Sequence, residues 1–183
     1  MSITPELDAR FRAAALAEGI VDVRYDIVDS PVGELFLAAT DRGLARIRFE
    51  PDGAEDELAR TFGVRLLRSP LDSVHRQLDE YFAGTRRDFE LPIDLRVGAF
   101  NADVLAELAR VPYGTTTTYG TLAARAGRPQ AARAVGTVMN RNPIPIVLPC
   151  HRIVGANGAL TGYAGGLDRK RTLLRLEGAT LLV

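Results

Sequence analysis

The sequence predicts an α+β protein in two parts: an N-terminal antiparallel β-sheet with flanking helices, then a mainly helical part carrying a helix-turn-helix. Three observations predict it. Short β-rich runs between residues 23 and 49 are separated by turn residues. From Ala99 onward the apolar residues recur at helical spacing, with a tight Gly-containing turn between two of the helical runs. The charge also changes sign along the chain. Residues 1–98 carry 13 Arg against 19 Asp and Glu, a net −6, whereas residues 99–183 carry 9 Arg and 1 Lys against 4 acids, a net +6. The boundary is therefore expected near Leu95–Gly98, giving domains 1–96 and 97–183.

Taken in order, Pro5–Glu18 is Ala-rich, with Leu7, Phe11 and Ala14/Ala15 at helical spacing and Gly19 as a stop. It reads as a helix docked on the first domain. Val23–Val28, Glu34–Ala39 and Leu44–Phe49 read as an antiparallel meander joined through Asp29–Gly33 and Asp41–Gly43. Asp52 with Glu55 resembles a capping box for a helix that runs to about Thr61 and closes at Gly63. Ser69-Pro70 opens the next helix, which carries Leu71, Val74, Leu78, Tyr81 and Phe82 on one face and ends at Gly84. His75 lies beside that face with no partner ligand in view. Phe89–Leu95, interrupted by Pro92, reads as an edge strand or connector.

Ala99–Ala109 is an amphipathic helix with Phe100, Val104, Leu105 and Leu108 on one side. Thr118 can cap the helix Tyr119–Ala126, and Gly127-Arg128-Pro129 turns the chain into Gln130–Met139. That second helix has few long side chains able to read base edges. Ala132, Ala134 and Gly136 would let it approach a narrow surface closely, and Arg133 supplies one long cation; close packing against the neighbouring helix is the commoner explanation of such alanines. Asn157-Gly158 is a turn, Gly162–Gly166 a loop, and Leu167–Glu177 a last helix followed by Gly178. Glu177 is oddly placed, because a carboxylate in a last turn opposes the helix dipole.

A hydrophobic content of 46% with 25% charged residues is that of a globular protein. With one Cys and two His, no internal disulfide, Cys-rich zinc site or His-rich metal site is expected. No stretch approaches a membrane span and no secretory pattern opens the chain, so a reduced, cytoplasmic location is expected, without membrane contact. The basic second half is what a one-sided polyanion-binding surface would look like, although scattered solvated charge would give the same count.

Chemistry concentrates in Asn142–Arg152, Asn-Pro-Ile-Pro-Ile-Val-Leu-Pro-Cys-His-Arg. A lone Cys is most often a small buried hydrophobe. Here Pro149 fixes the backbone before Cys150, and His151 and Arg152 follow it, groups that favour the nucleophilic thiolate. The chain after Cys150 is expected to run extended to Val154, which points Cys150 and His151 to opposite sides.

Pro149-Cys150-His151-Arg152, with Asn142-Pro143 upstream and Gly162-Tyr163-Ala164-Gly165-Gly166 downstream, closely resembles the O6-alkylguanine-DNA alkyltransferases, the methylated-DNA–protein-cysteine methyltransferases. The resemblance is strong from about Val97 to Gly178 and holds only in outline over residues 23–96. It implies a ribonuclease-H-like N-terminal domain and a suicide enzyme without a cofactor. That enzyme binds double-stranded DNA in the minor groove, flips out O6-alkylguanine and takes the alkyl group onto Cys150; O4-alkylthymine is a further substrate to test. It implies that His151 is the base acting through a bridging water, that Glu177 orients it, and that Asn142 fixes the backbone near the thiol. Tyr119 would help to turn the nucleotide out and donate to the base. Arg133 would fill the vacated stack, with Ala132, Ala134 and Gly136 against the groove. Tyr163, Ala164, Gly165, Pro145 and Val154 would line the pocket; Ala164 lacks the hydroxyl some members carry as serine. Zinc occurs in some members, but this chain has the ligands for neither of the family's metal modules. A monomer in solution is expected, with room for cooperative assembly on DNA.

Three other readings compete. A helix-turn-helix regulator without chemistry would leave Pro-Cys-His-Arg unexplained. A cysteine hydrolase would leave the helix pair without a purpose. A lesion-binding relative without transfer would lack the cysteine.

Overall fold

The computed structural model describes residues 4–63 and 65–179. It is α+β, and the order of its elements explains how a sheet in one half comes to brace a thiol in the other. Strands β1 (Val23–Val28), β2 (Leu35–Thr40) and β3 (Gly43–Phe49) form the expected antiparallel meander. A fourth strand, β4 (Leu66–Arg68), was not legible in the sequence. It adds to β1 in parallel, so the sheet is mixed, in the order β3-β2-β1-β4. The cause is helix α2 (Ala54–Phe62), a crossover that returns the chain in the direction of β1.

Strand β2 is buried on both faces. Leu35, Leu37 and Ala39 face the main core; Phe36 and Ala38 face α2 through Ala54 and Leu58. The main core runs without a break from the sheet, through Leu78 and Tyr81 of α3 (Asp72–Phe82), to Val104, Leu122, Val135 and Leu173 in the second half. The connector after α3 forms a bridge at Ile93 with Leu44, which ties it to the start of β3. The far end of β3 is tied across the halves, where Ile47 N donates to Pro143 O at 2.9 Å.

Three local expectations are corrected. Helix α1 (Pro5–Ala17) forms, but Leu7 and Phe11 are 55% and 66% exposed and do not dock. Among its described side chains only Ala15 is buried, and Arg12 donates to the Arg68 carbonyl. Helix α2 has no capping box: its N-cap is Gly53 at φ +69°, so Asp52 makes no cap bond. Helix α3 starts at Asp72, two residues after Pro70, with no side-chain cap. His75 is exposed and pairs only with Asp79, at 3.5 Å.

The second half follows the sequence closely. Helix α4 is Ala99–Ala109, and α5 (Tyr119–Arg125) and α6 (Ala132–Asn140) pack as the expected helix pair. Thr118 Oγ1 caps α5 by accepting from Thr121 N at 3.1 Å. Helix α6 buries Val135, Val138 and Met139 and turns Arg133, Ala134 and Thr137 to solvent. Ala134 is therefore not there to pack against α5. Two short parallel strands, β5 (Thr117–Thr118) and β6 (Ile153–Val154), join the start of α5 to the chain just after Cys150, and α7 (Leu167–Leu176) closes the fold. Among the described residues no helix is long and apolar enough to cross a membrane.

Candidate active site

Cys150 does not begin an extended run. Cys150–Arg152 is one turn of 3-10 helix, closed by Arg152 N donating to Pro149 O at 2.9 Å, and only Ile153–Val154 is strand. The approach is equally constrained. Ile146 takes φ +76°, rare for a β-branched residue, inside a loop closed by Leu148 N to Ile144 O and Cys150 N to Leu148 O. Asn142 holds that loop from within, its Nδ2 donating to Leu148 O at 2.7 Å and its Oδ1 accepting from Ile144 N at 3.2 Å.

The thiol is buried, and burial pushes it up to about 11. A hydrogen bond from Asn142 and the charge of Lys170 oppose that rise. This corrects the expectation that Arg152 favours the thiolate. Arg152 is committed to Glu177 instead: its Nε donates to Oε2 at 2.9 Å, one terminal nitrogen to Oε1 at 2.8 Å, and the other to Val111 O at 2.5 Å.

His151 is fully buried. Its Nε2 lies 2.8 Å from Glu177 Oε1, and its Nδ1 is buried with no hydrogen-bond partner. Burial holds the imidazole below its ordinary range, against the pull of Glu177. The carboxylate is the opposite case. Burial alone would raise it, but hydrogen bonds from His151 and Arg152 bring it down to about 2. An ionised carboxylate can only accept, so Nε2 carries the proton and Nδ1 keeps its lone pair.

Glu177 is thus no exposed, slightly unfavourable helix end. It is the C-cap of α7, and its carboxylate also accepts from Tyr81 Oη at 2.8 Å and from Gly114 N at 3.1 Å. Gly114 sits at φ +73°, and a Cβ there would lie 2.8 Å from Glu177 O, so only glycine brings this amide so close.

A cleft of about 430 Å³ runs between β3 and the Asn142 loop, lined by Arg46, Arg48, Glu50, Asn142, Pro145 and Ala164, with Asn142 its link to the thiol loop. Tyr163 packs on Phe49 with ring centroids 5.7 Å apart, and its hydroxyl is buried without a partner. Tyr119 Oη reaches Gly162 O at 3.4 Å. Pro145 is buried in the cleft wall and Ala164 is exposed at its edge, whereas Val154 is buried but does not line it. The structure therefore brings Cys150, His151, Glu177 and Asn142 into one cluster, with Tyr119 and the 162–166 loop beside it. Arg133, Ala132 and Ala134 lie apart from it on α6, whereas Gly136 faces the Tyr119 ring, to which an added Cβ would come within 3.9 Å.

Two sequence profiles cover most of the chain. "6-O-methylguanine DNA methyltransferase, ribonuclease-like domain" matches residues 23–95, and "6-O-methylguanine DNA methyltransferase, DNA binding domain" matches residues 99–179. A methylated-DNA–protein-cysteine methyltransferase of Mycolicibacterium paratuberculosis is 46% identical over 85% of this chain and 92% of its own length. The chain belongs to the 6-O-methylguanine DNA methyltransferase family. The relative of that name from Methanosarcina acetivorans is 42% identical over 85% of this chain and 98% of its own. Among solved structures, Mycobacterium tuberculosis OGT in complex with DNA superposes with a TM-score of 0.76 at 41% identity, covering 85% of this chain and 92% of that one.

Against this family background, two groups at the site were missed by sequence reasoning. Tyr81 was read as core. Lys170 was not singled out, although it is the only lysine of the chain and that alone could have marked it. Its ammonium is fully buried and donates to Ile153 O at 2.5 Å and Thr161 O at 2.7 Å, joining the strand after Cys150 to the pocket loop.

The pocket loop is fitted tightly enough to predict a result. A Cβ at Gly165 would lie 2.7 Å from the Phe49 ring and 3.0 Å from Tyr163 Cε1. Gly165→Ala is expected to cost about 1–3 kcal/mol in chemical denaturation through overpacking. Single-turnover transfer should also slow about tenfold or more, because the displaced ring lines the pocket. Wild-type rate and midpoint together would show that the loop relaxes freely.

Proposed function

We propose that this protein repairs alkylated DNA by moving the alkyl group from O6 of guanine in duplex DNA onto Cys150, once per molecule. One observation carries the reading: a buried thiol is followed in the chain by a buried imidazole whose Nε2–H is held by an ionised carboxylate and whose Nδ1 is left free to accept. The printed names of the relatives, methylated-DNA–protein-cysteine methyltransferases, agree with it.

In the proposed step the thiol proton passes through a bridging water to His151 Nδ1. Sγ attacks the alkyl carbon, the S–C bond forms, and the C–O6 bond breaks in line. The guanine leaves with its electron pair and takes a proton from Tyr119, which His151 and solvent restore. Glu177 stays ionised and keeps the imidazole in the tautomer that accepts at Nδ1. Asn142 keeps the thiol loop in shape. Lys170 supplies the nearby positive charge that no carboxylate cancels among the described residues. The atoms balance without a cofactor. The thioether has no route back, so the protein is consumed.

The base must reach a buried thiol, so it must leave the duplex, at a cost of a few kcal/mol. The small residues of α6, Ala134 exposed and Ala132 and Gly136 half-buried, suit close approach to a minor groove, with all three toward its floor. Arg133 would fill the vacated stack, and Tyr163, Ala164, Gly165, Pro145 and Val154 would enclose the flipped base. The protein would act as a monomer built from domains 1–96 and 97–183.

Intact mass after mixing with duplex DNA containing O6-methylguanine tests the reading. The expected result is a gain of one methyl group, mapped to Cys150, stopping at one per molecule, with none for Cys150→Ser. Tight DNA binding without a mass change would point to a regulator or lesion sensor, and repeated ester turnover to a hydrolase.

A further inference from the structure

A phenol from the first half of the chain touches the relay carboxylate and has no part in the scheme above. Tyr81, on α3, is completely buried, and its hydroxyl is 2.8 Å from Glu177 Oε1, the same oxygen that His151 Nε2 uses. We propose that Tyr81 is a positioning residue of the alkyl-acceptor site, its hydroxyl competing with His151 for one carboxylate oxygen and so setting the basicity of the imidazole. This rests on the relay reading above.

Glu177 Oε1 accepts from three donors, Tyr81, His151 and an Arg152 terminal nitrogen, while Oε2 accepts from Arg152 Nε and Gly114 N. Hydrogen bonds to a shared acceptor weaken one another, because each draws on the same charge. The Tyr81 hydroxyl therefore reduces what Glu177 offers the imidazolium that forms when His151 takes the thiol proton. The ring is fixed for this task. Phe82 and Phe89 lie 5.3 and 5.4 Å from its centroid, and Tyr113 meets it edge-on at 6.1 Å. Burial and the adjacent carboxylate hold the phenol protonated far above its ordinary range, so it is always a donor. The other titratable groups facing the pair are Cys150 and Arg152 on the 3-10 turn, Lys170 on α7, Tyr113 after α4, and Tyr163 in the pocket loop. Tyr81 is the one among these that touches the carboxylate from the first half of the chain, so relay tuning depends on how the halves pack.

Tyr81→Phe removes the hydroxyl and keeps the ring. The chain has two histidines, and His75 is exposed on the far side of α3, so 15N-labelled histidine gives a titration for His151 with an internal reference. The expected result is a His151 protonation midpoint raised by about half a pH unit or more, with His75 unmoved. The acid limb of single-turnover methyl transfer should move up by the same amount, because a protonated His151 cannot accept the thiol proton. Site-specific 3-fluorotyrosine at position 81, a stronger donor of nearly the same shape, should move both readings the other way. A lowered melting temperature with an unmoved His151 midpoint in both variants would reduce Tyr81 to packing and overturn the proposal. Should the wild-type acid limb fail to follow His151, the relay reading falls; the NMR midpoint still decides the role of Tyr81 toward Glu177.

Discussion

Glu177→Gln is expected to slow single-turnover alkyl transfer by about two to four orders of magnitude and to destabilise the protein by about 3–5 kcal/mol. The two effects share a cause. Among the described residues the carboxylate is the sole negative partner of Arg152, whose side chain is 6% exposed, and it also accepts from His151, Tyr81 and Gly114. An amide replaces one oxygen with an NH2 group. If that group faces Oε2's partners, it meets Arg152 Nε–H and Gly114 N–H; if it faces Oε1's, it meets His151, Tyr81 and the other Arg152 nitrogen. Either way donors confront donors, and a buried guanidinium loses its counter-charge. On the kinetic side, a Gln NH2 opposite Nε2 favours the tautomer with its proton on Nδ1, which cannot receive the thiol proton. Rapid-quench transfer assays and urea denaturation measure the two effects. A rate within about threefold of wild type would make Glu177 a charge partner for Arg152 alone.

The same residue predicts an acid limb in stability. The folded carboxyl sits at about 2, depressed from an ordinary value near 4.5. A depressed acid stabilises the fold above its unfolded value, and that contribution disappears as pH falls toward the folded one. Wild-type stability should therefore drop between about pH 5 and 2 in part through Glu177, and the Gln variant should show a shallower loss over that window.

How much of this was legible depends on whether the cause was local. The limits of α4 were read to the residue because an apolar stripe on one face fixes a helix by itself. The β1–β3 meander was legible for the same reason, whereas β4 was not. Its three residues, Leu66, Leu67 and Arg68, pair with β1 only because α2 brings them there. The run 150–152 was read as extended, but the bond from Arg152 N to Pro149 O and the burial of all three side chains fold it into one 3-10 turn. Cys150, His151, Glu177 and Asn142 were joined as a constellation by the resemblance to the alkyltransferases, since no local pattern links Glu177 to the thiol. The assignment of Arg152 to the thiol failed because sequence adjacency does not say which carboxylate a guanidinium will find. Tyr81 lies 96 residues from Glu177 in sequence and on a face that reads as core, so no local pattern could reveal its hydroxyl bond.

Lys170 shows the same limit, and it carries the second large effect. Lys170→Met should reduce alkyl transfer at pH 7 by about tenfold or more, since a nearby cation is what an ionising buried thiol needs most. Arg152 cannot substitute, being held by Glu177. The dependence on pH is the sharper test. Burial brings the ammonium down to about 8, against the raising effect of Cys150, while burial holds the thiol up at about 11. As pH rises through 8 the wild type gains thiolate but loses the charge that stabilises it, so its rate should level off or fall there. The Met variant has no charge to lose. Its rate should start lower and keep rising past pH 8 toward the thiol's own value, so the two curves converge. Stability moves with pH in the same sense as for Glu177, but in an alkaline window. Between about 10.4, the unfolded value, and 8 the unfolded chain holds a proton that the folded chain does not, so the wild-type fold loses stability as pH falls across that window and is flat below it. Met removes this slope, but it strips the donor from the carbonyls of Ile153 and Thr161, at about 1–3 kcal/mol for each one left buried and unpaired. Parallel rate profiles for the two proteins above pH 8 would mean that Lys170 joins the strand after Cys150 to the pocket loop without acting on the thiol.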